Sequence, residues 1–469
     1  MTRRFALSTL SSLLLHRPSM ASAAPSAFAS SGAPPVRIDA GGGAVAFLGE
    51  NHDLPLVDIA LAFRSGAALE ANDRIGSTRL MGRMLRRGTK SMSAEKIEEA
   101  LDRLGGEVSV DVSSSSINVH AQVIRRNLAP FVKLLTEILL RPTFDADELA
   151  RLKREAVAEL VEARDNDKGL ASRFFRRAVF GAHPLGRGLS GTTKTIPLRT
   201  RAELLDAHAL HLRRGNVVLG VAGDIDRAAL DEHLLPLVAA LPNGPALKDP
   251  STEPTMAKGR RLVFVDKPAR TQTQILIGGL GTHPLDPDHV ALHVGNTAFG
   301  GTFTARLMKE VRSKRGWSYG AYARLPIDRR REAFSMWTFP AATDAAACVA
   351  LELELLEAWL AEGITKEELA FSRSYLSESY AFDVDTPFKR VRQAVDEEVY
   401  GLPSDYHTGY VARVGQTTLD AANAAIKKRI SRDDLAVVVV GTAGELAGAI
   451  GKAIPNLAST EILPYDFEP

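Results

Sequence analysis

The chain holds a single cysteine, Cys348, among its 469 residues. One thiol excludes an intrachain disulfide and any zinc site built on cysteines. It also lacks an excess of charge of either sign: 58 Lys and Arg against 56 Asp and Glu leave a net charge of +2. A dedicated nucleic-acid binder carries a marked basic excess, so no nucleic acid is expected as a partner. A membrane-spanning helix needs roughly 20 consecutive apolar residues, and no such run occurs, so no membrane span is expected. What remains is 45% hydrophobic and 24% charged residues, the balance of a soluble globular protein. Disordered, collagen-like and polytopic membrane chains are thereby excluded, and the length suits two to four domains.

Acidic residues are absent from the start as well, the first being Asp39. Arg3 and Arg4 precede a mostly apolar run from Phe5 to Leu15, followed by Ala21-Ser22-Ala23 and Ala27-Phe28-Ala29. This is the outline of a secretory signal, and Thr2-Arg3-Arg4-Phe5 loosely matches a twin-arginine signal. The Ser- and Arg-rich composition, with His16, Arg17 and Pro18, also suits a mitochondrial transit segment. Residues 1–35 are therefore read as a targeting segment, with periplasmic or secreted localisation expected and a mitochondrial one as the alternative.

The body of the chain is an internal duplication. Leu54–Phe63 aligns with Arg270–Gly279 at an offset of 216, Phe144–Ala150 with Ile364–Ala370 at 220, and Val217–Gly223 with Leu435–Gly441 at 218. Three separated blocks at a nearly constant offset mark two homologous halves. The Pro-rich, polar stretch from Pro242 to Pro254 reads as the join. The expected organisation is a first half over 36–242, a linker over 243–258, a second half over 259–455 and a C-terminal tail over 456–469. Alternating strand-like runs followed by helical stretches predict an α+β fold. Each half would be a mainly antiparallel sheet covered by helices on one face, and the two would form a clam-shell.

Short motifs carry a resemblance over nearly the whole chain after residue 36. Gly76-Ser-Thr-Arg79-Leu-Met-Gly82-Arg83-Met-Leu-Arg-Arg-Gly88-Thr89 keeps the frame of the sequence G-x-A-H-F-L-E-H-M-L-F-K-G-T. Phe180-Gly-Ala-His183-Pro184-Leu-Gly186 and the long run from Phe299 to Tyr319 match two further motifs. This resembles the insulinase-like M16 metallopeptidases, in particular the short two-domain members of subfamily B.

In that family two histidines four residues apart bind zinc, the Glu between them is the general base, and a later Glu is the third ligand. The inverted H-x-x-E-H has become Arg79-Leu-Met-Gly82-Arg83, and only Glu159, 76 residues after Arg83, survives. A guanidinium has no lone pair to give a metal and carries a permanent positive charge. The resemblance therefore implies no metal and no cofactor in this chain. Arg79, Arg83, Arg86 and Arg87 share one helix face, readable as a solvated basic stripe or as Arg83 pairing with Glu159 in the vacated metal pocket. At the offset of 216 the second half carries Gly295 and Phe299, so it has no zinc motif either. The pairs His289/His293 and His208/His211 lack a third ligand at a recognisable spacing.

What survives is in the second half. The resemblance assigns Arg312 and Tyr319 as the pair that reaches across to a metal site and stabilises the oxyanion of peptide hydrolysis. It thus implies a subunit without zinc that dimerises with a related subunit carrying an intact H-x-x-E-H. Zinc is expected in that partner, and the substrate would be a peptide or unfolded polypeptide. Family members bind peptide as an added β-strand, and Ser115–Ile124 has the alternation for one, or for an ordinary sheet strand. The alternative is a catalytically silent peptide-binding or scaffold subunit. The noncatalytic mitochondrial processing subunit carries a long glycine-rich loop, for which Gly300-Gly301 is too short.

Overall fold

The computed structural model describes residues 32–468. The targeting segment expected over 1–35 thus lies outside the described residues except for its last four. Among the described residues no helix is long and apolar enough to cross a membrane.

Two six-stranded sheets organise the chain. The first contains β1 (Val36–Gly41), β2 (Ala44–Glu50), β3 (Leu56–Phe63), β4 (Gly106–Val112), β5 (Ile117–Ile124) and β6 (Val217–Gly223). The second contains β7 (Arg260–Asp266), β8 (Gln274–Leu280), β9 (Ala321–Arg324), β10 (Ala333–Thr338), β11 (Ala436–Gly441) and β12 (Leu457–Pro464). Their orders are β1-β2-β6-β3-β5-β4 and β12-β7-β11-β8-β10-β9, so five strands correspond one to one. The register corresponds too: Ile59 faces Val221, and 216 and 218 residues later Ile275 faces Val439. Most pairs are antiparallel, while β2–β6, β7–β11 and β12–β7 are parallel.

The sixth strand breaks the correspondence. In the first sheet it is β1, antiparallel to β2; in the second it is β12, parallel to β7. The segment read from the sequence as a tail, 456–469, thus supplies an edge strand. Its residues are largely exposed, so it lacks the two-faced apolar pattern by which interior strands announce themselves.

That two-faced pattern fixes the layers. On β2, Ala44, Ala46 and Leu48 enter the main core of the first half, whereas Val45 and Phe47 point the opposite way. On β11, Val437 and Val439 face one core and Ala436, Val438 and Val440 the other. Alternate side chains of a strand project to opposite faces, so both faces of each sheet are covered. Each half's own helices cover one face of its sheet, as expected, and a further layer lies on the other face. The second face of each sheet is covered by a helix lent from the other half. Pro387–Tyr400 lays Val391, Val395 and Val399 on β2 and β6, and Asp167–Phe180 packs on β8 and β11. Gly220 on β6 makes room, since a Cβ there would lie 2.7 and 2.8 Å from methyls of Val391 and Val395.

An acid lies in the second core. Glu352 is fully buried; its Oε2 accepts the Thr338 hydroxyl at 3.1 Å, and its Oε1 has no partner among the described residues. Burial pushes its pKa up to about 8 from 4.5. Between those values the native state keeps a proton that the unfolded chain has released, so this group's contribution to stability declines as pH rises. Glu352→Gln is therefore expected to gain on the wild type across that window, by at most about 1.4 kcal/mol per pH unit. Thermal melts at either end of the window check this; a difference independent of pH would contradict it.

Candidate functional site

The first half's motif helix, Ser77–Met84, begins at Gly76, and its free N–H groups are met by a neighbouring carboxylate. Glu70 accepts from the backbone N–H of Gly76 at 2.9 Å and of Thr78 at 2.5 Å. Burial raises the pKa of Glu70 in spite of these bonds. The helix then presents Leu80, Met81 and Met84 to the core and its arginines to the outside.

Arg83, and Arg87 just past the helix, form an ion-pair lattice with the helix Ala146–Glu162. Arg83 donates from both terminal nitrogens to the Glu159 carboxylate, at 2.7 Å each. Arg87 meets Glu155 at 2.5 Å and Glu148 at 3.5 Å, and Arg151 bridges the same two acids. The Arg87 hydrogen bond is the main cause of a lowered pKa at Glu155. Arg86 takes Glu98 and also donates to the backbone oxygen of Val108 on β4 at 2.7 Å. Arg79 is exposed and enters no ion pair among the described residues.

Between the two readings of the arginine stripe, the geometry brings Arg83 and Glu159 together. Arg79, Arg83 and Glu159 line one small cavity of about 160 Å³. These residues do not fit a zinc ion: the surviving carboxylate is engaged by a guanidinium, and the other two ligand positions hold cations. Gly82, where the family has its general base, sits tight on β4. A Cβ there would lie 3.1 Å from Val112 and 3.2 Å from Val110. Because Arg83 and Glu159 are both partly exposed, their pair adds little to stability, about 0–1 kcal/mol. Arg83→Ala is expected to leave the melting temperature close to wild type, and a collapse of the fold in thermal melts would contradict this.

In the second half, the helical segment Met308–Ser313 turns sharply after Arg315. Gly316 N–H donates to the Arg312 carbonyl at 2.9 Å and Trp317 N–H to that of Val311 at 3.1 Å. Ser318 then fixes the exit: its hydroxyl donates to the Gly320 carbonyl at 2.7 Å and accepts from Phe339 N–H at 3.1 Å. This return places Tyr319 over Arg312, with the guanidinium carbon 4.2 Å from the Tyr319 ring centre. Phe303 lies 4.5 Å away. Both rings face solvent, Tyr319 at 76% and Phe303 at 60% exposure. Among the described residues no carboxylate pairs with Arg312, which is held by two aromatic faces instead. Phe303 was not singled out as a functional residue from the sequence, although it stands within the Gly-Gly-x-Phe frame.

The remaining sequence-level candidates are structural. His183 accepts from Leu185 N–H and bonds the Thr252 carbonyl at 2.9 Å, tying the His-Pro turn to the linker. His293 bonds the Tyr410 hydroxyl at 2.8 Å, and burial lowers both His289 and His293 to about 4. His208 meets the Leu139 carbonyl, and His211 meets Ser65 and Thr78. Phe299 stacks on Trp359 at 4.4 Å in the second core. Among the described residues no three His, Cys, Asp or Glu side chains are grouped to hold a metal ion. Ser115–Ile124 is corrected as a receiver of peptide: β5 is bonded to β3 on one side and β4 on the other. The edge strand beyond it is β4; the opposite edge of this sheet is β1.

Two family descriptions match this chain in tandem: Insulinase (Peptidase family M16) over residues 46–193, and Peptidase M16 inactive domain over 199–376. The chain belongs to the M16 family. Among M16 relatives, the non-peptidase homolog YmxG of Helicobacter pylori is 24% identical over 83% of this chain and 90% of its own length. An uncharacterized zinc protease of Mycobacterium tuberculosis is 27% identical over 76% of this chain and 82% of its own. A crystal structure described as the peptidase M16 inactive domain from Pseudomonas fluorescens superposes with a TM-score of 0.81. It is 28% identical, over 87% of this chain and 97% of that one. This M16 chain therefore keeps the family's fold and carries Arg79, Gly82 and Arg83 in place of H-x-x-E-H, with Glu159 retained.

Proposed function

We propose that this chain is the zinc-free subunit of a two-subunit M16 peptidase, donating Arg312 and Tyr319 to the metal site of a related subunit that bears H-x-x-E-H. The observation that carries this reading is the Phe303–Arg312–Tyr319 stack. It is a preformed cation and phenol, facing outward, with no carboxylate to serve among the described residues. A guanidinium fork and a phenolic donor suit the negative charge that develops on a peptide carbonyl under attack. Zinc, in the partner, would supply the activated water; this chain's residues would bind and orient the carbonyl oxygen. The substrate would be a peptide or unfolded segment, and the periplasm is the proposed compartment.

A second reading, a silent peptide-binding or scaffold subunit, draws on the edge strand β4. Beside it lies a cavity of about 430 Å³ lined by Gly82, Arg86, Glu98 and Val110 among others. The name of YmxG, a non-peptidase homolog, is compatible with either reading.

A tagged pull-down from the source organism, with each co-purifying chain of similar size sequenced, separates the two. A partner with an intact H-x-x-E-H is the expected result, and its absence moves the assignment to the scaffold reading. In the assembled complex Arg83→Ala should leave turnover nearly unchanged, because no chemistry is assigned to its pocket. A large loss of rate in that variant would contradict the division of labour.

A further inference from the structure

A cavity of about 460 Å³ lies between the helix Asp167–Phe180 and the second sheet. Ile75, Phe174, Ala178 and Val263 give it an apolar lining, and three arginines face it without a carboxylate partner among the described residues. Arg173 donates to the carbonyls of Tyr465 and Phe467 at 3.4 and 3.1 Å, and its buried Nε has no partner. Arg261 donates to the Ala178 carbonyl at 2.8 Å, and its Nε is likewise unpartnered. Arg187 is spread over the carbonyls of Ala68 and Glu70 and the side-chain oxygen of Asn72.

The two carboxylates that line the cavity are engaged elsewhere. Glu461 is held by Arg177 at 3.2 Å, and Glu468 accepts from Thr193 and Arg164. They offset part of the charge, yet burial still lowers the pKa of Arg173, Arg187 and Arg261. Guanidinium groups offset only in part and set beside apolar surface are costly unless an anion meets them.

We propose that this cavity binds a small anionic amphiphile, its carboxylate or phosphate head among Arg173, Arg187 and Arg261 and its apolar body against Phe174 and Val263. Arginine forks match such heads bidentately, and the volume lies within the range of small-molecule sites. The cavity adjoins the Arg83–Glu159 pocket and shares none of its lining residues. Gly76 lines that pocket and Gly191 lines this one, and the two segments meet where a Cβ on Gly76 would be 3.3 Å from Gly191. The assignment is independent of any partner subunit.

Titration calorimetry on the purified full chain tests it with four probes: octanoate, octyl phosphate, octanol and inorganic phosphate. Octanoate or octyl phosphate should bind saturably with one site per chain, and whichever is tighter identifies the head group. Octanol lacks the charge and inorganic phosphate lacks the apolar body, so each should bind at least about tenfold more weakly. Arg173→Gln and Arg261→Gln should weaken the better probe by a similar factor. Ala178→Leu, which keeps every charge and narrows the apolar end, should weaken it as well and covers the case in which an arginine variant does not fold. Absence of saturable binding by both charged probes overturns the proposal. So does unchanged affinity in folded Arg173→Gln and Arg261→Gln.

Discussion

Replacing Arg312 by alanine in the proposed two-subunit complex is expected to lower kcat about 10²–10³-fold, the cost of losing one donor to a developing oxyanion under that proposal. The zinc content of the complex should not change, because no metal ligand is touched. The loss should fall on kcat more than on KM, since the donor is engaged most strongly when the carbonyl oxygen becomes negative. Tyr319→Phe keeps the ring that stacks on the guanidinium and deletes only the phenolic donor, so its fall in kcat separates hydrogen bonding from positioning. Phe303→Ala leaves both donors and removes one wall of the stack; a smaller loss is expected there, from a less ordered arginine. Steady-state kinetics with metal analysis on the same preparations decides the matter. Unchanged turnover in Arg312→Ala would remove the pair from the site.

The largest expected effect on stability comes from the exchanged helices. Phe175, on the helix Asp167–Phe180, is buried in the cluster that this helix forms with β7, β8 and β11. Truncating a buried phenylalanine leaves a cavity that the surroundings fill only in part, and Phe175→Ala should cost about 3–5 kcal/mol. The loss would appear as a lower melting temperature of the whole chain, because this helix belongs by sequence to one half and by packing to the other. A melting temperature within a degree or so of wild type would show that the exchanged helix contributes little.

Much of this architecture is written in local patterns. The alternation in runs such as Leu56–Phe63 and the three duplicated blocks lead to paired sheets, and the replacement of two histidines by Arg79 and Arg83 leads to a pocket without zinc donors. The frame from Phe299 to Tyr319 points to Arg312. Other features have no local signature. An amphipathic helix such as Pro387–Tyr400 states that one face is apolar but not which sheet receives it, so the exchange of helices is visible only in three dimensions. Leu457–Pro464 is solvated along most of its length, and its pairing with β7 rests on backbone bonds that side-chain polarity does not encode. The inside position of β5 is set by pairing order, which alternation alone does not give. Phe303 is an exposed aromatic whose role depends on a cation nine residues away, a relation without periodicity. Arg173, Arg187 and Arg261 converge from three separate segments.

The exchange of helices also bears on how the chain is made. The first sheet is complete in sequence once β6 has been synthesised, yet the valines that cover its second face belong to Pro387–Tyr400, far downstream. During synthesis the strip formed by Val45, Phe47, Val218 and Ala222 waits, apolar and uncovered, until most of the second half has emerged. Contacts so distant along the chain form late and leave partly folded species prone to association. By the same token a cut in the segment 243–258 should leave two fragments that remain clasped, each holding a helix the other needs.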